Sequence, residues 1–292
     1  MEGPLTEHQA AAAPAAERPR RSDLPDGLWR RGDGSNLVGV PAGFIAGTDF
    51  NDANRPLHIA GVREMNVSLF RMLERTMDEA EAGEVFTAYM ATMFGLASRP
   101  AAPGEGERRR YRTSYLRLLR GWAYDSNAPE GAVLKGWVES RFGLFPTYHR
   151  EPLRRFDGHA WGRYVDDKMG SRFHNNAIFS QLDLLYEYAQ WALRRGAPDR
   201  GPMKLFRGVN DFDEHPIVER IDKRRVILRL NNLVSFTSDR AIASCFGDRI
   251  LQTEVPLAKV LFIPTLLPRH PLKGEDEILA IGGDYLVRAT YW

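Results

Sequence analysis

The segment RRVILRLNNLVSFTS (residues 224–238) decides how the fold is predicted, because it is rich in Val, Ile, Leu and Phe. Side chains of this kind favour extended strands. Other segments of similar character are separated by Gly, Pro, Asn and Asp, which are typical of turns. They are MKLFRGV (203–209), DRILQTEVPL (248–257), AKVLFIPTLL (258–267), DEILAIGG (276–283) and YLVRATYW (285–292). We therefore predict a sheet after residue 200, with Gly282 and Gly283 as the hairpin turn between its last two strands.

The chain before residue 200 has the periodicity of helices instead. Apolar side chains recur every three or four positions in residues 65–96, with a break predicted at Gly83. The same spacing occurs in YRTSYLRLLRGWAYD (111–125) and in AIFSQLDLLYEYAQWALRRG (177–196). The last of these segments ends with two arginines and a glycine, as helix C-termini often do.

These patterns predict an α+β fold in one domain, residues 31–292, with a mainly helical part (31–200) and a β-rich part (201–292). Residues 1–30 are rich in Ala, Pro, Arg and Glu and offer little to bury, so they are predicted to be a disordered tail.

Composition narrows the classes of function. The formal net charge of the 292-residue chain is +2, which does not favour nucleic acid as a partner. No apolar run is long enough for membrane insertion. The single cysteine, Cys245, rules out an intrachain disulfide and suits a reducing bacterial cytoplasm. Cys245 is expected to be a small core residue in a short helix. Histidines and cysteines show no metal-ligand spacing, so no metal is expected.

Three motifs in the β-rich part could carry chemistry. They are Phe206-Arg207-Gly208, Ser235-Phe236-Thr237-Ser238 and Gly274-Glu275-Asp276-Glu277. Each has a common structural explanation: a solvated arginine at a strand end, hydroxyls that cap a helix, and an acidic turn. Their value lies in occurring together, in this order, on predicted strands.

The chemistry of these side chains is compatible with cleavage of a glycosidic bond. Glu275 and Glu277 are two positions apart, so both face the same way where the chain is extended. A carboxylate beside a sugar ring stabilises the positive charge that develops when the bond to its anomeric carbon breaks. An arginine fork suits a pyrophosphate, and hydroxyls at a strand end can hold a carboxylate in one rotamer.

The order of an arginine, a Ser-Thr-Ser-like element and Glu-x-Glu is similar to that of the arginine–serine–glutamate class of mono-ADP-ribosyltransferases. Residues 36–292 resemble more specifically the dinitrogenase reductase ADP-ribosyltransferase family. The segments that carry this resemblance are NLVGVPAGFIAGTDFN (36–51), GVREMNVSLF (61–70), FHNNAIFSQLDLLYEYAQWAL (173–193), SFTSDRAIASCFGD (235–248) and GEDEILAIGGDYLVRA (274–289).

The resemblance implies roles for the residues of the motifs. Glu277 would be catalytic, and Glu275 would orient the acceptor arginine. The NAD-binding residues would be Arg207, Gly208, Ser235, Thr237 and Ser238. Thr237 and Ser238 match the end of the Ser-Thr-Ser element. Phe236 stands where its first serine is expected and Ser235 precedes it, so the pattern leaves open which hydroxyl orients Glu277.

The resemblance also implies a fold and a function. The fold would be a split β-sandwich with an NAD cleft, and the reaction would need no metal. ADP-ribose would pass from NAD to an arginine of dinitrogenase reductase, the nitrogenase iron protein, and reversibly inactivate nitrogen fixation. A PII signalling protein would be the regulator. Two alternatives stay open: an NAD glycohydrolase using the same site, and a non-catalytic module that binds NAD or PII.

Three aromatic residues lie on the helix that precedes Arg207: Tyr186, Tyr188 and Trp191. Most of this stripe is expected to be core. A further hypothesis is that Tyr186 stacks on a base or on the nicotinamide ring.

Overall fold

The computed structural model describes residues 36–53, 55–96, 114–170, 176–195, 197, 199–210, 215–267 and 276–291. The predicted disordered tail, residues 1–30, lies outside these ranges, as does Glu275. The helices of the first part are α1 (Ala42–Ala46), α2 (Thr48–Ala53), α3 (Val62–Met65), α4 (Val67–Leu73), α5 (Glu79–Met93), α6 (Tyr115–Tyr124), α7 (Pro129–Phe142), α8 (His159–Met169) and α9 (Asn176–Arg194). A short hairpin of β1 (Tyr148–His149) and β2 (Glu151–Pro152) follows α7.

Local sequence explains where these helices begin and which face they bury. Asp78 caps α5 by accepting a hydrogen bond from the backbone of Glu81, and Ser114 caps α6 in the same way. The predicted stripe of α9 is confirmed, since all five of its residues are buried: Ile178, Leu182, Leu185, Ala189 and Leu193. The break predicted at Gly83 is wrong. Gly83 is buried inside α5, and the chain leaves the helical path before the Asp78 cap instead.

The second part of the chain contains the sheet. Its strands are β3 (Met203–Val209), β4 (Ile217–Arg220), β5 (Arg225–Thr237), β6 (Arg249–Val255), β7 (Val260–Phe262) and β8 (Glu277–Tyr291). A short helix, α10 (Arg240–Ser244), connects β5 to β6. The strand order is β4-β5-β3-β6-β8-β7, all pairings are antiparallel, and β5 also pairs with β8. Strands β3, β6, β8 and β5 therefore close into a small barrel, and the predicted α+β class is confirmed.

The prediction of a hairpin at Gly282 and Gly283 is wrong, because both glycines lie within the continuous strand β8. A Cβ atom at Gly282 would lie 1.5 Å from the carbonyl oxygen of Asn231 on β5. Gly283 has φ +121°, and a Cβ there would lie 2.6 Å from the carbonyl oxygen of Ala46. The register of β5 against β8 shifts between Leu230 and Leu233, at the same level. The glycines therefore allow a close approach of backbones.

The helices and the sheet share one large apolar cluster. It joins side chains of α9, such as Leu182 and Tyr186, to Leu233, Leu279 and Ile281 of the sheet. Tyr186 is fully buried and its hydroxyl donates to the carbonyl of Ala258 at 2.7 Å. The hypothesis that Tyr186 stacks on a ligand is therefore wrong, because its ring is part of the core.

Within the described part of the chain, none of the helices combines the length and the apolar character needed to cross a bilayer.

Replacing Gly282 by alanine is expected to lower the free energy of unfolding by about 3 kcal/mol or more, because the added methyl group collides with backbone that has no room to move. Gly162, in α8, is the matched control, since nothing lies within 4 Å of a Cβ built there. Gly162→Ala should stabilise the protein by up to about 1 kcal/mol through helix propensity. The free energy of unfolding of each variant is measured by urea unfolding followed by circular dichroism. Equal stability of Gly282→Ala and Gly162→Ala would refute the close approach of the two backbones at Gly282.

Candidate active site

The three motifs meet at one cleft of about 470 Å³. Arg207 and Gly208 come from β3, Ser235 and Thr237 from the end of β5, and Glu277 from the first position of β8. Residues 122–126, at the end of α6, line the cleft from the helical part. The cleft therefore lies between the two parts of the chain. Its volume falls within the range of about 300–1,000 Å³ that is usual for small-molecule sites.

Glu277 is held by a hydrogen-bonded chain that starts in the helical part. The Trp122 indole donates to the hydroxyl of Ser235 at 2.8 Å, and that hydroxyl donates to Oε1 of Glu277 at 2.6 Å. The strand register explains the second contact, because Glu277 lies opposite Thr237 and Ser235 lies two positions away on the same strand face. The carboxylate is thus fixed before any ligand arrives.

Arg207 is fixed against the β-rich wall. Its Nη1 donates to the carbonyl oxygen of Ser235 at 3.0 Å, and its Nε donates to Nε2 of His215 at 3.3 Å. His215 is 2% exposed, and its Nε2 accepts this hydrogen bond. The buried imidazole therefore helps to hold the guanidinium in place.

Thr237 and Ser238 contact a different residue from Ser235. Both hydroxyls donate to Oδ2 of Asp276, Thr237 at 3.4 Å, and the backbone N–H of Ser238 donates to the same oxygen at 3.2 Å. Asp276 has φ +44°, an unusual conformation for a residue other than glycine. Of the three predicted hydroxyls, Ser235 is the one in contact with Glu277. Ser238 does not line the cleft and instead secures the residue before the carboxylate.

Two features next to β3 have structural explanations. Gly208 lines the cleft, and a Cβ there would lie 2.0 Å from the carbonyl oxygen of Ala243, so glycine allows α10 to pack closely on the strand. Cys245 follows the last residue of α10 and is exposed. The expectation that Cys245 is a core residue is wrong, because the helix ends one residue before it.

The cleft combines charges with aromatic surface. Its lining includes the guanidinium of Arg207 and two carboxylates, Glu277 on the β-rich wall and Asp125 on the helical wall. Tyr124 and Phe246, which also line it, are 94% and 62% exposed. A fixed cation, a fixed carboxylate and open aromatic rings suit a ligand that has an anionic group, a sugar and a flat ring. NAD is such a ligand, so the residues present fit it.

Sequence reasoning missed Trp122 and His215. Trp122 lies in a segment read only as a helix, 113 residues before its partner Ser235. His215 belongs to none of the motifs. Neither had a local signal, because each acquires its role from a contact made only in the folded chain.

Comparison with known proteins shows what this chain is similar to. Residues 35–289 match the family model described as dinitrogenase reductase ADP-ribosyltransferase (DRAT). A Rhodospirillum rubrum protein named NAD(+)–dinitrogen-reductase ADP-D-ribosyltransferase is 60% identical over 264 residues, which cover 89% of this chain and 96% of that protein. No solved structure matches the chain. The family model covers residues 35–289 and the relative covers 89% of the chain, so the chain belongs to the dinitrogenase reductase ADP-ribosyltransferase family.

Proposed function

We propose that this protein transfers ADP-ribose from NAD to an arginine of dinitrogenase reductase, and so reversibly inactivates nitrogen fixation in the bacterial cytoplasm. The observation that carries the proposal is the hydrogen bond from Ser235 to Glu277 in the cleft that also holds Arg207. The name of the Rhodospirillum rubrum relative supplies the donor and the acceptor protein. A PII signalling protein as regulator is part of the same proposal.

Arg207 and Glu277 divide the binding of NAD between them. The guanidinium of Arg207 pairs with anionic phosphate oxygens of the dinucleotide. The carboxylate of Glu277 accepts a hydrogen bond from the 2′-hydroxyl of the nicotinamide ribose. As the bond between the anomeric carbon and nicotinamide breaks, its electron pair leaves with nicotinamide, and the carboxylate stabilises the positive charge on the sugar.

The acceptor then supplies the new bond. A guanidino nitrogen of the target arginine attacks the anomeric carbon, and the proton that it loses passes to a base. Glu275 takes this role in the proposal, since a guanidinium is a poor nucleophile while it keeps all its protons. The protein side chains supply the charges for each step, so the scheme requires no metal.

The proposed architecture is finer than the observed α+β fold. The register of β5 against β8 shifts at the close approach of Asn231 and Gly282, and a division of the barrel at this level would give the two layers of a split β-sandwich. The cleft between α6 and the sheet would be the NAD site. Because both parts of the chain line it, we infer that residues 31–292 form one domain.

Changing the carboxylates tests the proposal directly. Glu277→Gln should lower kcat for labelling of dinitrogenase reductase by about 100-fold or more, because the charge opposite the developing cation is lost. Glu275→Gln should lose transfer but keep slow hydrolysis of NAD. Transfer of labelled ADP-ribose onto purified dinitrogenase reductase, with mapping of the modified arginine, measures both effects.

The outcome of that experiment separates the alternatives. Hydrolysis of NAD by the wild type, with no label on any protein, would make the chain a glycohydrolase. Binding of NAD without either reaction would favour a non-catalytic regulatory module. Full activity of Glu277→Gln would remove the proposed mechanism.

The two serines give a matched pair for the orientation of Glu277. Ser235→Ala should lower kcat by about 10-fold or more, since a hydrogen bond to a charged group is lost, with little change in KM for NAD. Ser244→Ala is the control, because this hydroxyl donates to a carbonyl within α10. Steady-state kinetics at saturating acceptor measure the effect. Equal values of kcat for the two variants would contradict the role given to Ser235.

His215 should act on NAD binding through Arg207. His215→Phe removes the acceptor at Nε2 and is expected to raise KM for NAD by about 10-fold, with a smaller change in kcat. His215→Gln keeps an acceptor oxygen and should restore much of the affinity. Thermal unfolding of both variants controls for loss of structure. An unchanged KM in a folded His215→Phe variant would show that His215 does not position Arg207.

A further inference from the structure

The end of helix α6 lines the cleft that holds Arg207, and its position is tied to Glu277, the carboxylate proposed to be catalytic. Residues 122–126 line this wall. Trp122 donates to Ser235, which donates to Glu277, so two hydrogen bonds separate the helix from the carboxylate. Tyr124 is the last residue of the helix and Asp125 is its C-cap. The helix end is therefore fixed relative to the place of reaction.

Three properties of this helix end favour a cation. The C-terminus of the ten-residue helix α6 carries partial negative charge from backbone carbonyls. Asp125 adds an exposed carboxylate, whose Oδ1 accepts a hydrogen bond from the backbone of Asn127 at 2.8 Å. Tyr124, 94% exposed, offers an aromatic face of the kind on which guanidinium groups stack. The helix C-terminus, the carboxylate and the aromatic ring thus occur together at two successive residues, Tyr124 and Asp125.

We propose that Tyr124 and Asp125 form the subsite that holds the guanidinium of the acceptor arginine. This inference rests on the proposed function and adds the residues that recognise the protein substrate. The carboxylate pairs with the guanidinium while the ring covers one of its flat faces. No bond is made or broken at this subsite, so Tyr124 and Asp125 are specificity-determining residues and the proton still leaves through Glu275.

The exposure of the two walls distinguishes the acceptor from the other cation in the reaction, the nicotinamide ring. Nicotinamide is attached to the sugar that reacts beside Glu277, and Glu277 is half-buried. Tyr124 is 94% exposed, so a side chain presented by another protein can reach its ring. An arginine side chain is long enough to contact the exposed Tyr124 and still extend into the cleft towards Glu277.

Charge and ring can be removed separately. Asp125→Asn keeps the Oδ1 oxygen that binds the backbone of Asn127 but removes the negative charge. It should raise KM for dinitrogenase reductase about 10-fold or more, with KM for NAD changed less than twofold. Tyr124→Ala should act in the same direction, whereas Tyr124→Phe keeps the ring and should stay near the wild type. Asp52→Asn, an exposed carboxylate on α2 outside the cleft, is the control and should have no effect.

Both Michaelis constants come from one assay, the transfer of labelled ADP-ribose with either substrate varied. A rise in KM for NAD equal to that for the acceptor would assign the helix end to the donor and overturn the inference. Unchanged constants in Asp125→Asn and Tyr124→Ala would also overturn it. If the wild type labels neither dinitrogenase reductase nor the small guanidine agmatine, the proposed function itself is wrong and the subsite falls with it.

Discussion

The close approach of β8 to β5 at Gly282 is the constraint on which the site depends. The carbonyl oxygen of Asn231 occupies the space where any other residue at position 282 would carry its Cβ. Because glycine leaves that space open, β8 continues as one strand from Glu277 to Tyr291 instead of turning back. Its first residue then lies opposite Thr237, which brings the carboxylate within reach of Ser235. A backbone contact about five residues away thus sets the geometry of the cleft.

Buried polar side chains also lie close to the contact between Asn231 and Gly282. Lys259 is fully buried, and its Nζ donates to the carbonyl of Gly282 at 3.4 Å and lies 4.6 Å from the centre of the Tyr285 ring. Burial lowers the pKa of Lys259 to about 7. Asn232 donates to the carbonyls of Lys135 and Leu144 in the helical part. Buried polar groups are costly unless they are paired, so the strands reach this arrangement only together with the helices.

Sequence patterns predicted the elements better than their contacts. The stripe of α9 and the strands of MKLFRGV and VILRLNNLVSFT are periodic or compositional, and local physics determines such patterns. The order of the motifs also pointed to Arg207, Ser235 and Glu277, which the fold brings into one cleft, and their roles stay predictions. The prediction of a turn at Gly282 and Gly283 was wrong because glycine is used for two different purposes. It allows the backbone conformations of turns, and it also leaves room where two backbones approach closely, as they do here. Trp122 could not be found because its partner Ser235 is 113 residues away in the chain. His215 could not be found because it belongs to none of the motifs, although its partner Arg207 does.

The residues that line the cleft from the two parts of the chain differ in a way that suits the small donor and the protein acceptor of the proposed reaction. On the β-rich wall, Arg207 and Glu277 are each held by partners that are themselves fixed, so little reorganisation is needed when the donor binds. A cleft lined on all sides by such fixed, partly buried side chains would suit a small ligand but would leave no room for a macromolecule. The helical wall ends instead in the exposed residues Tyr124 and Asp125, next to the buried Trp122 that anchors it. The end of α6 is therefore fixed where Trp122 meets Ser235 and exposed at Tyr124 and Asp125, where the proposed protein acceptor would enter.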